Sequence, residues 1–360
     1  MTIDEARKDW RVLDGEHFGV PEGIRLISHE AFDSVYTEGL LPVEEVRPCT
    51  LSRLVSFCKP LSELIWAFQL LCAADGRTVV LANGSASLGN YACLLNYFLF
   101  FRRKVILFWD SHLEPRSTLK RYLARRCFLG CSLATFWSSR QPQNYSRFFG
   151  LPENLFIFIP YKANHSKRSP RDLQTLDFVF AGGNGKRDYR ALVEAIRGTD
   201  VKLIISCTHP SVIKTIEDLP NVIPLAASEP SYSKLMALCR LVVIPMISTG
   251  LKGGGEANFC NGMWHGKPVI AMDDVSAHDY IIDGETGYIV PPGDIALLRE
   301  RILELWNHPE KARTMGEKGR LRAQQFFTQA AGIRRLVRLA CILGQEACNP
   351  RSPRGLSGKS

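Results

Sequence analysis

Two short stretches gather the residue types that bind anions. "AGGNGKRDY" (181–189) and "STGLKGGGEAN" (248–258) each place glycines just before a helical pattern. Each also carries cations: Lys186 and Arg187 in the first, Lys252 in the second. Glycine lets a ligand come close to the backbone. The N–H groups and dipole of a helix N-terminus attract negative charge. Gly182, Gly183, Lys186, Arg187, Lys252, Gly254, Gly255, Glu256, Ala257 and Asn258 are therefore the candidate binding residues, and a diphosphate is the natural guest. Neither loop closes on Gly-Lys-Ser/Thr, which argues against a P-loop. Neither is a G-x-G-x-x-G in a first βα turn followed by an acid ~20 residues on, which argues against a nicotinamide site.

The elements that must carry these loops are legible. A chain of 360 residues is long for one core, so two domains are expected. In the second half, short apolar strands at 176–183, 201–207, 221–226, 241–246, 267–272 and 286–290 alternate with amphipathic helices. That pattern is a doubly wound parallel sheet. The first half repeats it with strands at 77–84, 104–111, 133–139 and 155–160. The polar stretch 161–175, with Pro170, reads as a linker. The expected division is 1–171, 172–328, a closing helix at 329–345 and a disordered tail at 346–360.

Net charge is +9, concentrated in residues 51–171, which hold seventeen Lys and Arg against five acids. Such a field attracts anionic lipid, nucleic acid or a phosphorylated substrate. No nucleic-acid-binding signature accompanies it. The aromatic and Leu-rich run 90–108, which contains Arg102, Arg103 and Lys104, reads either as a buried helix and strand or as a helix dipping into an anionic leaflet. The eleven cysteines are scattered and are expected as free thiols in a reducing compartment. The histidines show no metal-ligand spacing, and no metal or other cofactor is expected. The polar N-terminus does not read as a secretory signal, and no window approaches a membrane span. A cytoplasmic protein, peripheral on the inner face of a membrane, is the expectation.

The quoted pieces together resemble the nucleotide-sugar domain of a GT-B glycosyltransferase and are similar to retaining family 4. "VFAGGNGKRDYRALVEAI", "LVVIPM", "GGGEANFCNGMWHGKPVIAMDD" and "DYIIDGETGYIVPPGD" stand in the family's order, the last with Asp279, Tyr280, Gly284, Gly287, Pro291, Pro292 and Asp294 in frame. The resemblance covers 176–325 well and 77–171 less well. Residues 1–76 match poorly, and the family's first strand is not evident there. It implies two Rossmann-like doubly wound domains facing across a cleft, the first binding the acceptor and the second the donor. It also implies a hexosyltransferase-type enzyme acting with retention, and a glycan or lipid-linked acceptor in polysaccharide biosynthesis. The donor would be a UDP- or GDP-sugar, bound without metal if Lys186, Arg187, Lys252 and helix N-termini neutralise the diphosphate.

The sequence departs from the family at the site. A Glu, seven residues and a second Glu usually precede Gly-Lys-Pro. Here those positions are Gly253 and Asn261. Asn261 is the expected partner of the donor's ribose, and Glu256, three residues beyond Gly253, the expected replacement for the first carboxylate. His112, in "LFWDSHLEPR", matches a family His near the donor sugar. Catalytic roles therefore fall to His112, Glu256 and Arg187. Two other readings are a catalytically silent GT-B subunit that partners another glycosyltransferase, favoured by the lost Glu pair, and a nucleotide-sugar epimerase of GT-B fold.

Overall fold

Val, Ile, Leu and Phe dominate twelve short strands, and two parallel sheets form from them. The computed structural model describes every residue except 16–20, 32–42, 101, 168–173, 215–218, 249 and 350–360, and the side chains of 211 and 212. The first sheet contains β1 (Arg25–Ser28), β2 (Val43–Glu45), β3 (Thr78–Asn83), β4 (Val105–Trp109), β5 (Leu133–Phe136) and β6 (Phe156–Phe158), in the order β2-β1-β3-β4-β5-β6. The second contains β7 (Val179–Gly182), β8 (Leu203–Ser206), β9 (Val222–Leu225), β10 (Leu241–Ile244), β11 (Val269–Met272) and β12 (Gly287–Val290), in the order β12-β11-β10-β7-β8-β9. Every adjacent pair is parallel. The central strands β3, β7, β10 and β11 are buried along their whole length. Helices cover both faces of such a sheet, so its strands read as unbroken apolar runs.

The chain divides into two units. One comprises Met1–Ile159 with the chain from Ala330 onward; the other is Pro160–Gln329. The expected boundary after 171 therefore moves to 159. The segment after Pro160 is fastened to the second unit by hydrogen bonds: the Tyr161 amide donates to Tyr280 Oη at 2.8 Å, and the Ala163 amide to the Phe327 carbonyl. Part of the expected linker, with Arg168 and Arg171, lies outside the described residues, as does the tail from 350. The rest of the expected tail, Glu346–Cys348, is helical, because helix Gln329–Cys348 runs on and Glu346 accepts from the Ile3 amide at 2.8 Å. Strands β1 and β2, missed in the sequence, are short, and β2 is a half-exposed edge without an apolar run.

The run 90–108 is divided between core and surface, with Phe98, Leu99, Arg102 and Arg103 exposed. Helix Ser87–Phe98 buries Leu88, Ala92, Cys93 and Asn96, and β4 is buried except at Trp109. Asn96 is buried because its amide is fully used. It donates to the carbonyls of Lys104 and Gly130 and accepts from the Lys104 amide. All eleven cysteines are free thiols. Among the described residues no helix is long and apolar enough to cross a membrane.

The closing helix is locked into the first unit by a buried charge. Arg335 is fully buried, pairs in bidentate fashion with Asp14 at 2.7 and 2.5 Å, and stacks on Trp10. Its neighbour Arg338 donates to the carbonyls of Leu13 and Gly15. Removing one partner of such a pair leaves the other charge stranded. Arg335→Ala is therefore expected to destabilise the first unit by about 3 kcal/mol. Arg335→Lys should recover only part of the loss, because an ammonium cannot reproduce the fork. Thermal and urea unfolding followed by circular dichroism would check this; an unchanged midpoint for Arg335→Ala would contradict it.

Candidate functional site

The two glycine loops leave neighbouring strands, because β10 pairs directly with β7. The first loop follows Gly182, the last residue of β7, and leads into helix Tyr189–Ile196, whose N-terminus is capped by Asp188 at 3.0 Å from the Ala191 amide. The second leads into helix Glu256–Trp264. The loops are stitched together along the backbone. The Asp188 amide donates to the Pro245 carbonyl, the Ile247 amide to the Lys186 carbonyl, and Arg187 bridges to Met246.

Side chains complete the junction. Asn258, buried in the first turn of its helix, donates from Nδ2 to the Gly182 carbonyl at 2.8 Å and accepts from Tyr232 Oη at 3.0 Å. Tyr189 Oη donates to the Gly183 carbonyl at 2.6 Å. Glycine is required at 182, since a Cβ there would lie 2.3 Å from Tyr232 Oη. Gly183, at φ +124°, and Gly255, at φ +86°, hold conformations that other residues avoid. Lys186 takes a left-handed conformation with a side chain, at φ 44°. Arg187 folds over its own loop, with Nη1 2.8 Å from the Gly185 carbonyl and Nε 3.4 Å from that of Gly182. A planar cation is thus held across the first loop.

The N-cap of helix Glu256–Trp264 is the left-handed Gly255, which has no side chain with which to cap it. The loop that feeds it is pinned by Asp274. This buried carboxylate accepts from the Gly254 amide at 3.0 Å and from the Ser276 and Ala277 amides at 2.9 Å each. Burial pushes its pKa above the usual carboxylate value, against the pull of these donors. Glu256 is buried, and its Oε1 lies 2.6 Å from where a Cβ at Gly253 would sit. The carboxylate of Glu256 therefore fills the space that a side chain at 253 would need. Lys252 and Ala257 are half-buried in the same loop and first helical turn.

Asn261 lies elsewhere on its helix. It is buried, and its Oδ1 accepts the His165 amide at 3.1 Å. It fastens the segment after Pro160 to the helix. A chain of polar contacts continues from there: His165 Nδ1 is 2.9 Å from His265 Nε2, and His165 Nε2 is 3.2 Å from Glu229 Oε1. His112 belongs to the first unit. Its Nε2 lies 3.1 Å from Asp110 Oδ1, its Nδ1 3.3 Å from Gln141 Nε2, and the same Asp110 oxygen accepts from Trp137 Nε1 at 2.7 Å. Asp110 has φ 55°, a strained geometry for a residue with a side chain. Burial raises the Asp110 pKa, but the bonds from His112, Trp137 and Ser85 outweigh it and leave it below the usual value. Tyr232, Tyr189 and Asp274 escaped the sequence reading. Asp274 alone left a signal, as the second acid of "AMDD".

A fold of two six-stranded parallel sheets with flanking helices, and glycine loops of this kind on the second, is the GT-B fold. It is shared with a sucrose-phosphate synthase of Thermosynechococcus elongatus (TM-score 0.62, 16% identity, 91% of this chain and 96% of that one). HepE of Anabaena, solved in complex with UDP-glucose, has a TM-score of 0.60 at 15% identity, over 89% of this chain and 98% of that one. Residues 221–322, within the second unit, match the family "Glycosyl transferases group 1". The D-rhamnosyltransferase WbpZ of Pseudomonas aeruginosa is 30% identical over 161 residues, 42% of this chain and 41% of that protein. The capsular polysaccharide biosynthesis glycosyltransferase CapM of Staphylococcus aureus is 38% identical over 61 residues, 17% of this chain and 16% of that protein. The chain thus spans less than half the length of these curated relatives.

The histidine chain gives the second unit a pH dependence. Burial, with the charges of His165 and Lys267, pushes the His265 pKa from 6.5 down to about 3. The unfolded chain therefore binds a proton near pH 6.5 that the folded chain refuses. Stability from His265 is complete above about pH 6.5 and falls as pH drops from there toward 3. Between pH 7 and pH 5 the expected loss is on the order of 1–2 kcal/mol. Melting temperatures measured across that range should fall more steeply for the parent than for His265→Gln. Equal slopes would show that His265 is not held neutral.

Proposed function

We propose that this chain is a retaining glycosyltransferase that moves a sugar from a UDP- or GDP-sugar to a glycan or lipid-linked acceptor. The observation that carries the reading is the N-terminus of helix Glu256–Trp264, which follows the left-handed Gly255 and is fed by a triple-glycine loop, beside the loop that holds Arg187. The diphosphate would sit against the amides of that first turn, with Arg187, Lys186 and Lys252 supplying positive charge. No divalent metal is needed in this arrangement. Charge grows on the leaving diphosphate as the glycosidic bond breaks. Fixed positive groups there stabilise the transition state more than the ground state.

Glu256 takes the place of the family's first carboxylate, supported by its position over Gly253. It would face the reacting sugar. His112, oriented by Asp110, serves the acceptor side, supported by its half-buried pairing with that carboxylate. Asn261 is the less direct member of the set. With its oxygen on the His165 amide, it reaches a ribose only through its amide nitrogen. The buried thiols support a reducing, cytoplasmic setting. The printed functions of WbpZ and CapM support an acceptor in polysaccharide assembly.

Calorimetry in the presence of a chelator should show UDP or GDP binding. Arg187→Ala should lower kcat by roughly a hundredfold while changing KM little, since its contact strengthens in the transition state. Asn261→Ala should raise KM several-fold with kcat nearly unchanged, the loss of about one neutral hydrogen bond. Nucleotide binding only with magnesium or manganese would overturn the account of phosphate neutralisation. Tight nucleotide binding with no sugar release from any donor would favour a silent subunit.

A further inference from the structure

The first unit carries an apolar stripe on its outer surface that the core does not use. Helices Thr50–Leu54 and Lys59–Cys72 follow one another and are tied by hydrogen bonds between Ser52 and Ser62. Leu61, Leu64 and Phe68 recur at intervals of three and four residues along helix Lys59–Cys72, and Leu54 and Phe57 stand at the end of the preceding helix and in the turn between the two. All five are exposed, Leu54 at 69% and Phe57 at 88%. Helix Lys59–Cys72 turns a different face inward, with Ala67, Leu70 and Leu71 buried. It therefore has apolar residues on both faces, and among the described residues only one of these faces is buried. The stripe continues onto the next helix: the rings of Phe68 and Phe100 are 5.7 Å apart, and Phe98 and Leu99 are exposed beside them.

The charges around this stripe are mostly positive. Four helices of the first unit, Thr50–Leu54, Lys59–Cys72, Ser87–Phe98 and Thr118–Gly130, contain a single carboxylate, Glu63. Lys59 lies 3.8 Å from it. Arg53, Arg102, Arg103, Lys120 and Arg121 are exposed. A groove of about 370 Å³ beside the stripe is lined by Asp75, Gly76, Leu99, Phe100, Arg103 and Lys104. Apolar side chains at helical spacing, with cations and almost no acids around them, suit a helix lying in the headgroup layer of an anionic bilayer. Each cation near such a surface adds about 1 kcal/mol, and the contribution falls off within a Debye length. A protein partner would have to offer an extended apolar strip and an acidic surface together; an anionic lipid leaflet offers both everywhere.

We infer that helices Thr50–Leu54 and Lys59–Cys72 form a docking surface for anionic lipid, with Leu54 and Phe57 entering the acyl boundary and Arg53, Lys59 and Arg103 meeting the headgroups. The surface takes in Phe98, Leu99 and Arg103 from the run 90–108, whose strand β4 is core. It holds the chain on the membrane without a spanning segment. It agrees with a lipid-linked acceptor but needs neither donor nor catalysis, so its failure would leave the transferase reading standing.

Flotation with phosphatidylcholine vesicles containing 30% phosphatidylglycerol, against pure phosphatidylcholine, tests it. The parent chain should float with the anionic vesicles only, and 0.5 M salt should release it. Leu54→Ser with Phe57→Ser should cut binding at least tenfold, and Arg53→Glu with Lys59→Glu should do the same. These side chains are exposed, so melting temperature and UDP binding should match the parent and exclude unfolding. The inference is overturned if flotation ignores lipid charge and salt, or if both double variants float like the parent. It is also overturned if light scattering finds a dimer that Phe57→Ser dissociates and that does not float, which would make the stripe a contact between copies of the chain.

Discussion

One buried asparagine holds the candidate site in register. Asn258 joins the first turn of helix Glu256–Trp264 to the last carbonyl of β7, and its oxygen receives the Tyr232 hydroxyl. Both ends of its amide are thereby used, which is what makes a buried amide affordable in an apolar core. The two glycine loops gain their relative position from this bond and from the backbone bonds between Asp188 and Pro245 and between Ile247 and Lys186. Arg187 then has a fixed place, because its loop cannot move away from β10. A preorganised cation and helix terminus can stabilise charge without reorganising when that charge develops.

A second constraint concerns where negative charge has been kept out and where it has been buried. Asp274 lies under the triple-glycine loop, where it takes the amides of Gly254, Ser276 and Ala277 for itself and so fixes the loop's path. Glu256 is folded back over Gly253. In the first unit, Asp110 spends its charge on His112 and Trp137. These acids are internal, and the outer helices of that unit are left basic. The same scarcity of exposed carboxylates marks the loops of the second unit and the exposed apolar stripe of the first.

The sequence made the repeating strands plain because buried parallel strands are nearly continuous apolar runs. It hid β1 and β2 because four residues, RLIS, and three, VEE, carry no such run, and the edge strand β2 is half-exposed. The glycine loops were legible from composition alone. What each asparagine does was not. Asn258 and Asn261 lie three residues apart, yet one grips Gly182 and the other the His165 amide. That choice depends on how the helix is rotated against its neighbours, which the sequence does not display. Similarly, 90–108 and 54–68 are both rich in Leu and Phe. Only packing decides that Leu107 and Phe108 are core and that Leu54, Phe57 and Phe98 face solvent. The division of the chain after Ile159 was illegible for the same reason, since the polar segment beyond it is held by bonds to Tyr280, Phe327 and Asn261.

The central claim is that a nucleoside diphosphate rests on the paired glycine loops of the second unit. Hydrogen–deuterium exchange with and without saturating UDP, and with GDP in parallel, addresses it directly. Ligand that seats on those amides should slow exchange at 182–188 and at 253–258, and leave the helices of 50–72 unchanged. Protection confined to other segments, or none at concentrations where calorimetry shows binding, would contradict the assignment of the site.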